Sequence, residues 1–268
     1  RTMASGRTGV RVALAQTYVD FLNNGITPVV PEFGSLGCSG DLAPLSHCAL
    51  ALMGEGRVHD AHGIEMPTMQ ALETAGIKPI ELEAKEGLAL INGTDGMLGM
   101  LIMACADLEH LCAVADITTA MSIEGLLGTD RVFAPDLHAP LRPQIGQAIS
   151  AANIYAMLKG SGIVASHLEN DSRVQDAYSL RCAPQVNGAV RDTISYASTI
   201  GARELASSID NPVVMPDGRV ESNGNFHGAP VGYVLDFLAI AATDLGSMSE
   251  RRTDRALDQH RSGGLPPF

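Results

Sequence analysis

The chain has 268 residues, 46% apolar but only 4% aromatic and without tryptophan, so Ala, Leu, Ile, Val and Met must fill its core. That composition favours packed helices over a β-sandwich. A net charge of −12 without basic clusters excludes nucleic acid and anionic membrane as natural partners, and five cysteines with no CxxC pair signal neither a disulfide framework nor a zinc site.

In chain order, the N-terminus (Arg1 to Arg7) lacks the apolar stretch of a signal peptide. Residues 14–22 read as a helix stopped by Asn23-Asn24-Gly25, and 27–32 as an extended segment with prolines. Residues 33–40 hold three glycines and read as a loop, after which Asp41 caps a helix over 42–53 with Pro44 in its first turn. A short hairpin is predicted over 56–64 and a short helix over 68–75. Residues 93–125 carry a nearly continuous apolar pattern, which predicts a long helix buried on most sides. The most apolar part, 96–106, is too short to span a bilayer. Further helices are expected over 148–158, 185–209 and 230–257, with a polar connector over 161–173 and a small hairpin over 213–221. The fold class is therefore mainly α, with small β excursions. An odd number of cysteines, most in apolar runs, fits a reducing, cytoplasmic setting. The missing initiator methionine and the abrupt Gly264-Leu265-Pro266-Pro267-Phe268 ending suggest a fragment cut at both ends.

The segment from Gly34 to Leu45 is the most informative. A serine-hydrolase elbow needs a glycine where Asp41 stands, a dinucleotide fingerprint needs other glycine spacings, and a phosphate loop needs a lysine. What remains is a small residue, a serine and a glycine in a tight loop: Cys38-Ser39-Gly40. The unhindered Gly40 nitrogen can attack the Cys38 carbonyl carbon and close a five-membered ring through Ser39. Loss of water from that carbonyl, and of the Ser39 hydroxyl, leaves 4-methylideneimidazol-5-one, an electrophile made without an added cofactor. A plain loop leading into an Asp-capped helix accounts for the same twelve residues.

This segment resembles the signature of the aromatic amino acid ammonia-lyase family. Further blocks resemble the family in order: Leu90-Ile91-Asn92-Gly93-Thr94, then Gln175 through Arg181, Gly224-Asn225-Phe226-His227-Gly228, Ser249-Glu250-Arg251-Arg252 and the final Gly264 to Phe268. The tripeptide departs from the usual first residue, Ala, by carrying Cys38, whose small side chain stays outside the ring. The resemblance implies a long helical bundle of the ammonia-lyase/fumarase-like type, with 1–92 as the region bearing the ring-forming loop and 93–268 as the central bundle. It implies that an N-terminal loop region with the catalytic base, and a C-terminal region, lie outside this chain. It also implies a homotetramer, an amino acid substrate, the self-made ring as prosthetic group, and no metal or nucleotide.

Roles follow from the same resemblance. Ser39 supplies the electrophilic carbon, and Asp41 assists closure between Cys38 and Gly40. Arg181 clamps the substrate carboxylate, as a guanidinium does with two parallel hydrogen bonds. Tyr178, three residues earlier, shares a helical face with Arg181 and supports the developing charge; without the resemblance it reads as a half-buried core residue. Gln175 bonds substrate or ring. Asn92, a polar amide at the end of an apolar run, must be satisfied and contacts ring and substrate amine. Phe226 walls the ring, flanked by Asn225 and His227, which otherwise read as turn residues. His47 reads as a hydrogen-bonded core residue, and His59 and His62 as loop residues without metal partners.

Arg181-Cys182 with Gln185, the 225–228 block and the 249–252 block are most similar to the family's histidine branch, which implies conversion of L-histidine to trans-urocanate and ammonia. Phenylalanine or tyrosine lyases and the aminomutases are the nearest alternative. A non-catalytic truncated paralogue acting as an assembly subunit is another, and a fumarase-type lyase, which needs no such loop, a more distant one.

Overall fold

A computed structural model of the chain describes residues 1–38 and 41–267, so Ser39 and Gly40 of the tripeptide lie outside the described residues. Helices take up 57% of the chain, against strands of only two or three residues, and the fold is mainly α. The chain divides into two compact units, Arg1–Ile102 with Ile200–Tyr233, and Met103–Thr199 with Val234–Phe268.

In the first unit, helix α1 (Val12–Asn23) buries Leu14, Thr17 and Phe21 along one stripe, the spacing that puts side chains on one helical face. Strands β1 (Thr27–Pro28), β2 (Arg57–His59) and β3 (Glu65–Pro67) form an antiparallel sheet in that order, with Val58 paired to Pro28 on one side and Met66 on the other. Helices α2 (Leu42–Leu52) and α3 (Thr68–Ala75) pack on it, and α4 (Glu86–Ile91) packs on α2. Their shared core is Leu14, Phe21, Leu52, Val58, Leu72 and Leu90. Helix α4 is absent from the sequence prediction because six residues are too few to display a period. Its first residue, Glu86, is buried and accepts hydrogen bonds from Arg11 Nε at 2.9 Å and Nη2 at 2.7 Å. That pairing holds the Glu86 carboxyl down at about 2 against its own desolvation.

Three long helices contribute to both units: α5 (Asp95–Gly125), α9 (Ala183–Leu205) and α10 (Ala229–Leu257). The second unit adds α6 (Ile145–Leu158), α7 (Gly162–Ala165) and α8 (Tyr178–Arg181). The predicted 161–173 connector thus contains a helical turn, capped by Ser161. Ile123, Leu126, Phe133, Ile154, Leu158 and Leu180 form this unit's core. Helices α6 and α9 cross in backbone contact, because a Cβ on Gly188 would fall on the Gln147 and Gly146 backbone. Asp116, fully buried on α5, accepts from Asn153 and Asn187 at 2.9 Å each and from Arg191 Nη2 at 2.7 Å. Such a carboxylate is tolerable in a core only when so fully paired.

One expectation for α5 needs correcting. It is not buried on most sides: Met100, Ile102, Met103, Leu111, Ile117 and Met121 are exposed, as are Tyr233, Phe237 and Ile240 on α10. A helix apolar all round has more apolar surface than one chain's core can take up. Both helices also have the length and apolarity to cross a membrane, although the paired Asp116 is a core contact rather than a lipid-facing one.

Candidate active site

Asp41 is fully buried beside the tripeptide. It precedes α2, yet its side chain makes no cap bond to that helix, contrary to the sequence expectation. Its Oδ2 instead accepts the Met97 amide of α5 at 2.6 Å, while Oδ1 accepts the Ser35 hydroxyl at 2.5 Å. The unsatisfied amides and dipole of a helix N-terminus favour an anion there. One carboxylate therefore ties the glycine-rich loop to the start of α5.

The 223–228 segment closes on the same loop. Asn223 Oδ1 accepts the Asn225 amide at 2.8 Å, and the Gly228 amide donates to the Cys38 carbonyl oxygen at 2.5 Å. Gly228 is required at this approach, since a Cβ there would sit 2.7 Å from the Cys38 oxygen and 2.5 Å from Met97 Sδ. Phe226 is half-buried, whereas Asn225 and His227 are exposed. His227 Nδ1 accepts the Ala229 amide at 3.2 Å, capping the start of α10. These surroundings fit a ring built from the backbone. The carbonyl that must be attacked already holds a hydrogen-bond donor, and the donor residue has no side chain to obstruct it.

Asn92, which ends α4, donates through Nδ2 to Asp210 Oδ1 and to the Asn211 carbonyl, each at 3.2 Å. Asp210 is fully buried and is also bound by Lys85 and Thr8. Sequence reasoning passed over Asp210, Lys85 and Thr8. The Asp210-Asn211-Pro212 run reads only as a helix stop, and nothing local reveals that its carboxylate faces Asn92.

Gln175, Tyr178 and Arg181 belong to the second unit. Tyr178 is not half-buried but 72% exposed, and the Arg181 guanidinium lies over its ring, 4.6 Å from the centroid. Arg181 Nε donates to the Asp176 carbonyl at 2.9 Å, while the Asp176 carboxylate lies 3.6 Å from Arg173 Nη1. Gln175 is exposed and lines a cavity of about 190 Å³ with Thr129, Arg131, His167 and Arg173. His47, expected in the core, is only half-buried.

Comparison with known proteins gives these residues a setting. A family profile described as aromatic amino acid lyase matches residues 1–268. The chain is 66% identical over 268 residues to a histidine ammonia-lyase of Streptomyces griseus, covering all of this chain and 52% of that protein. Among solved structures it is similar to the tyrosine aminomutase of Streptomyces globisporus, with a TM-score of 0.89 and 41% identity over all of this chain and 53% of that one. It is also similar to histidine ammonia-lyase from Trypanosoma cruzi, with a TM-score of 0.86 and 37% identity, covering all of this chain and 49% of that one. The chain spans about half the length of the curated relatives it matches.

Proposed function

The chain belongs to the aromatic amino acid lyase family, and from that premise we propose that it serves a histidine ammonia-lyase, which eliminates ammonia from L-histidine to give trans-urocanate. The observation that carries this reading is the 66% identity along the whole chain to proteins named histidine ammonia-lyase. The tyrosine aminomutase neighbour stands at 41%.

In this reading Cys38-Ser39-Gly40 cyclises to 4-methylideneimidazol-5-one, which when formed supplies an electrophilic carbon. The chain's own residues then do the following. Asp41 and the Gly228 amide hold the loop and its Cys38 carbonyl for closure, a role supported by their hydrogen bonds. Phe226 shields the ring's surroundings from water. Asn92 accepts from the substrate ammonium, with Gln175 as a further polar contact. Arg181 receives the substrate carboxylate and Tyr178 stabilises charge beside it; their stacked pairing supports a shared role. Asn225 and His227 shape the turn that carries Phe226. The exposed apolar flanks of α5 and α10 support assembly into a homotetramer. Five free thiols support a reducing, cytoplasmic setting.

The test is direct. The intact protein is offered L-histidine, L-tyrosine and L-phenylalanine while the absorbance of the conjugated acid and released ammonia are followed, and peptides across residues 33–57 are weighed. Highest kcat/KM with L-histidine, and a peptide lighter by two waters, are the expected results. Preference for tyrosine or phenylalanine would move the chain to another branch of the family, and an unmodified peptide would sink the ring.

A further inference from the structure

We propose that Asp210 is a positioning residue of this site, setting which end of the Asn92 carboxamide is left to accept a hydrogen bond. The meaning given to Asn92 rests on the proposed function; the orientation itself rests on geometry.

The Asp210 carboxylate is fully buried and saturated with donors. Lys85 Nζ and Thr8 Oγ1 both donate to Oδ2. Asn92 Nδ2 at 3.2 Å and the Asn211 amide at 2.7 Å donate to Oδ1. A carboxylate offers about four lone-pair sites, so every one has a partner. Asn92, in turn, has both hydrogens of Nδ2 engaged, one by Asp210 and one by the Asn211 carbonyl. Among the described residues its Oδ1 is therefore the end left over. An acceptor suits an ammonium group, which carries donors only, and a flipped amide would set the Asn92 oxygen against two acceptors, Asp210 Oδ1 and the Asn211 carbonyl. Asp210 thus makes Asn92 a reader of amines rather than of carboxylates.

The same residue anchors the turn over the loop. Its backbone carbonyl accepts from Asn223 Nδ2 at 3.0 Å, and Asn211 Oδ1 accepts the Asn223 amide at 2.8 Å. Asn223 leads on to Asn225 and to the Gly228 contact with Cys38.

Two double variants separate positioning from packing. D210N/K85M removes both charges of the pair but keeps a carbonyl oxygen for Asn92 and Asn211, with an amide free to donate to Thr8. D210L/K85M removes the charges and the acceptor together. In the intact protein, D210N/K85M is expected to keep kcat/KM for L-histidine near that of the unaltered enzyme. D210L/K85M should lose roughly ten- to a hundredfold, the scale of a misplaced reacting contact. Backbone amide exchange at Asn211 and Asn223, read in the same proteins, should quicken in D210L/K85M alone. Should that variant not fold, D210N by itself gives the contrast, because one carboxamide cannot accept from Lys85 and Asn92 together. Equal activity and equal exchange in the contrasted variants would overturn the proposal. An unaltered protein that releases no ammonia from histidine would instead overturn the proposed function, and the exchange rates would still decide the role of Asp210.

Discussion

Arg181 commits its Nε to the Asp176 carbonyl, leaving the two terminal nitrogens as the end of the guanidinium fork. A lysine reaches a similar place with a point charge but cannot form two parallel bonds. Arg181→Lys in the proposed enzyme should therefore raise KM for L-histidine by about tenfold or more, the worth of one charged hydrogen bond, with a smaller change in kcat. Steady-state kinetics check this, and an unchanged KM would remove Arg181 from the site. At this scale the sequence singles out candidate residues and says much less about what they touch. Asp41 stands out beside the tripeptide, but its bond to the Met97 amide joins segments that no local pattern connects. Asn92 is conspicuous as a lone amide in an apolar run, while Asp210, which satisfies it, sits after a different helix.

Helices α6 and α9 meet where Gly146 and Gly188 let their backbones touch. Replacing Gly188 with alanine improves helix propensity by about 1 kcal/mol. Here the added Cβ lands on the Gln147 backbone, and the helices must part. Overpacking of that kind costs about 1–3 kcal/mol, so Gly188→Ala should lower the thermal midpoint, as a melting curve would show; a rise would mean the crossing is looser than described. The long helices were legible to within a few residues, since α9 runs Ala183–Leu205 against the expected 185–209 and α10 runs Ala229–Leu257 against 230–257. Period and stop signals suffice for elements of that length. Helix α4, the single turn of α7 and the crossing glycines were not legible, being either too short to show a period or defined by a partner elsewhere in the chain.

Across the whole molecule the charge balance is acidic, yet few carboxylates lie as deep as Glu86. Its folded value near 2 lies below the ordinary 4.5, so its stabilising share is complete above pH 4.5. That share is lost as pH falls through the folded value. The Arg11 side chain is 40% exposed, and screening moderates the effect. Glu86→Gln should therefore lower the urea midpoint at pH 7, and the gap from the unaltered protein should narrow as pH drops from 4.5 toward 2. A gap independent of pH would mean the carboxylate's charge is not what stabilises the fold. The contact between Gly228 and Cys38 bears on the order of events in the molecule's life. Its donor lies far downstream of Cys38, so the bond forms only after the chain as far as Gly228 has been made. Ring closure would expel the very oxygen Gly228 grips, as water. Under the proposed function the bond would therefore be used once, made by folding and spent by the step it prepares.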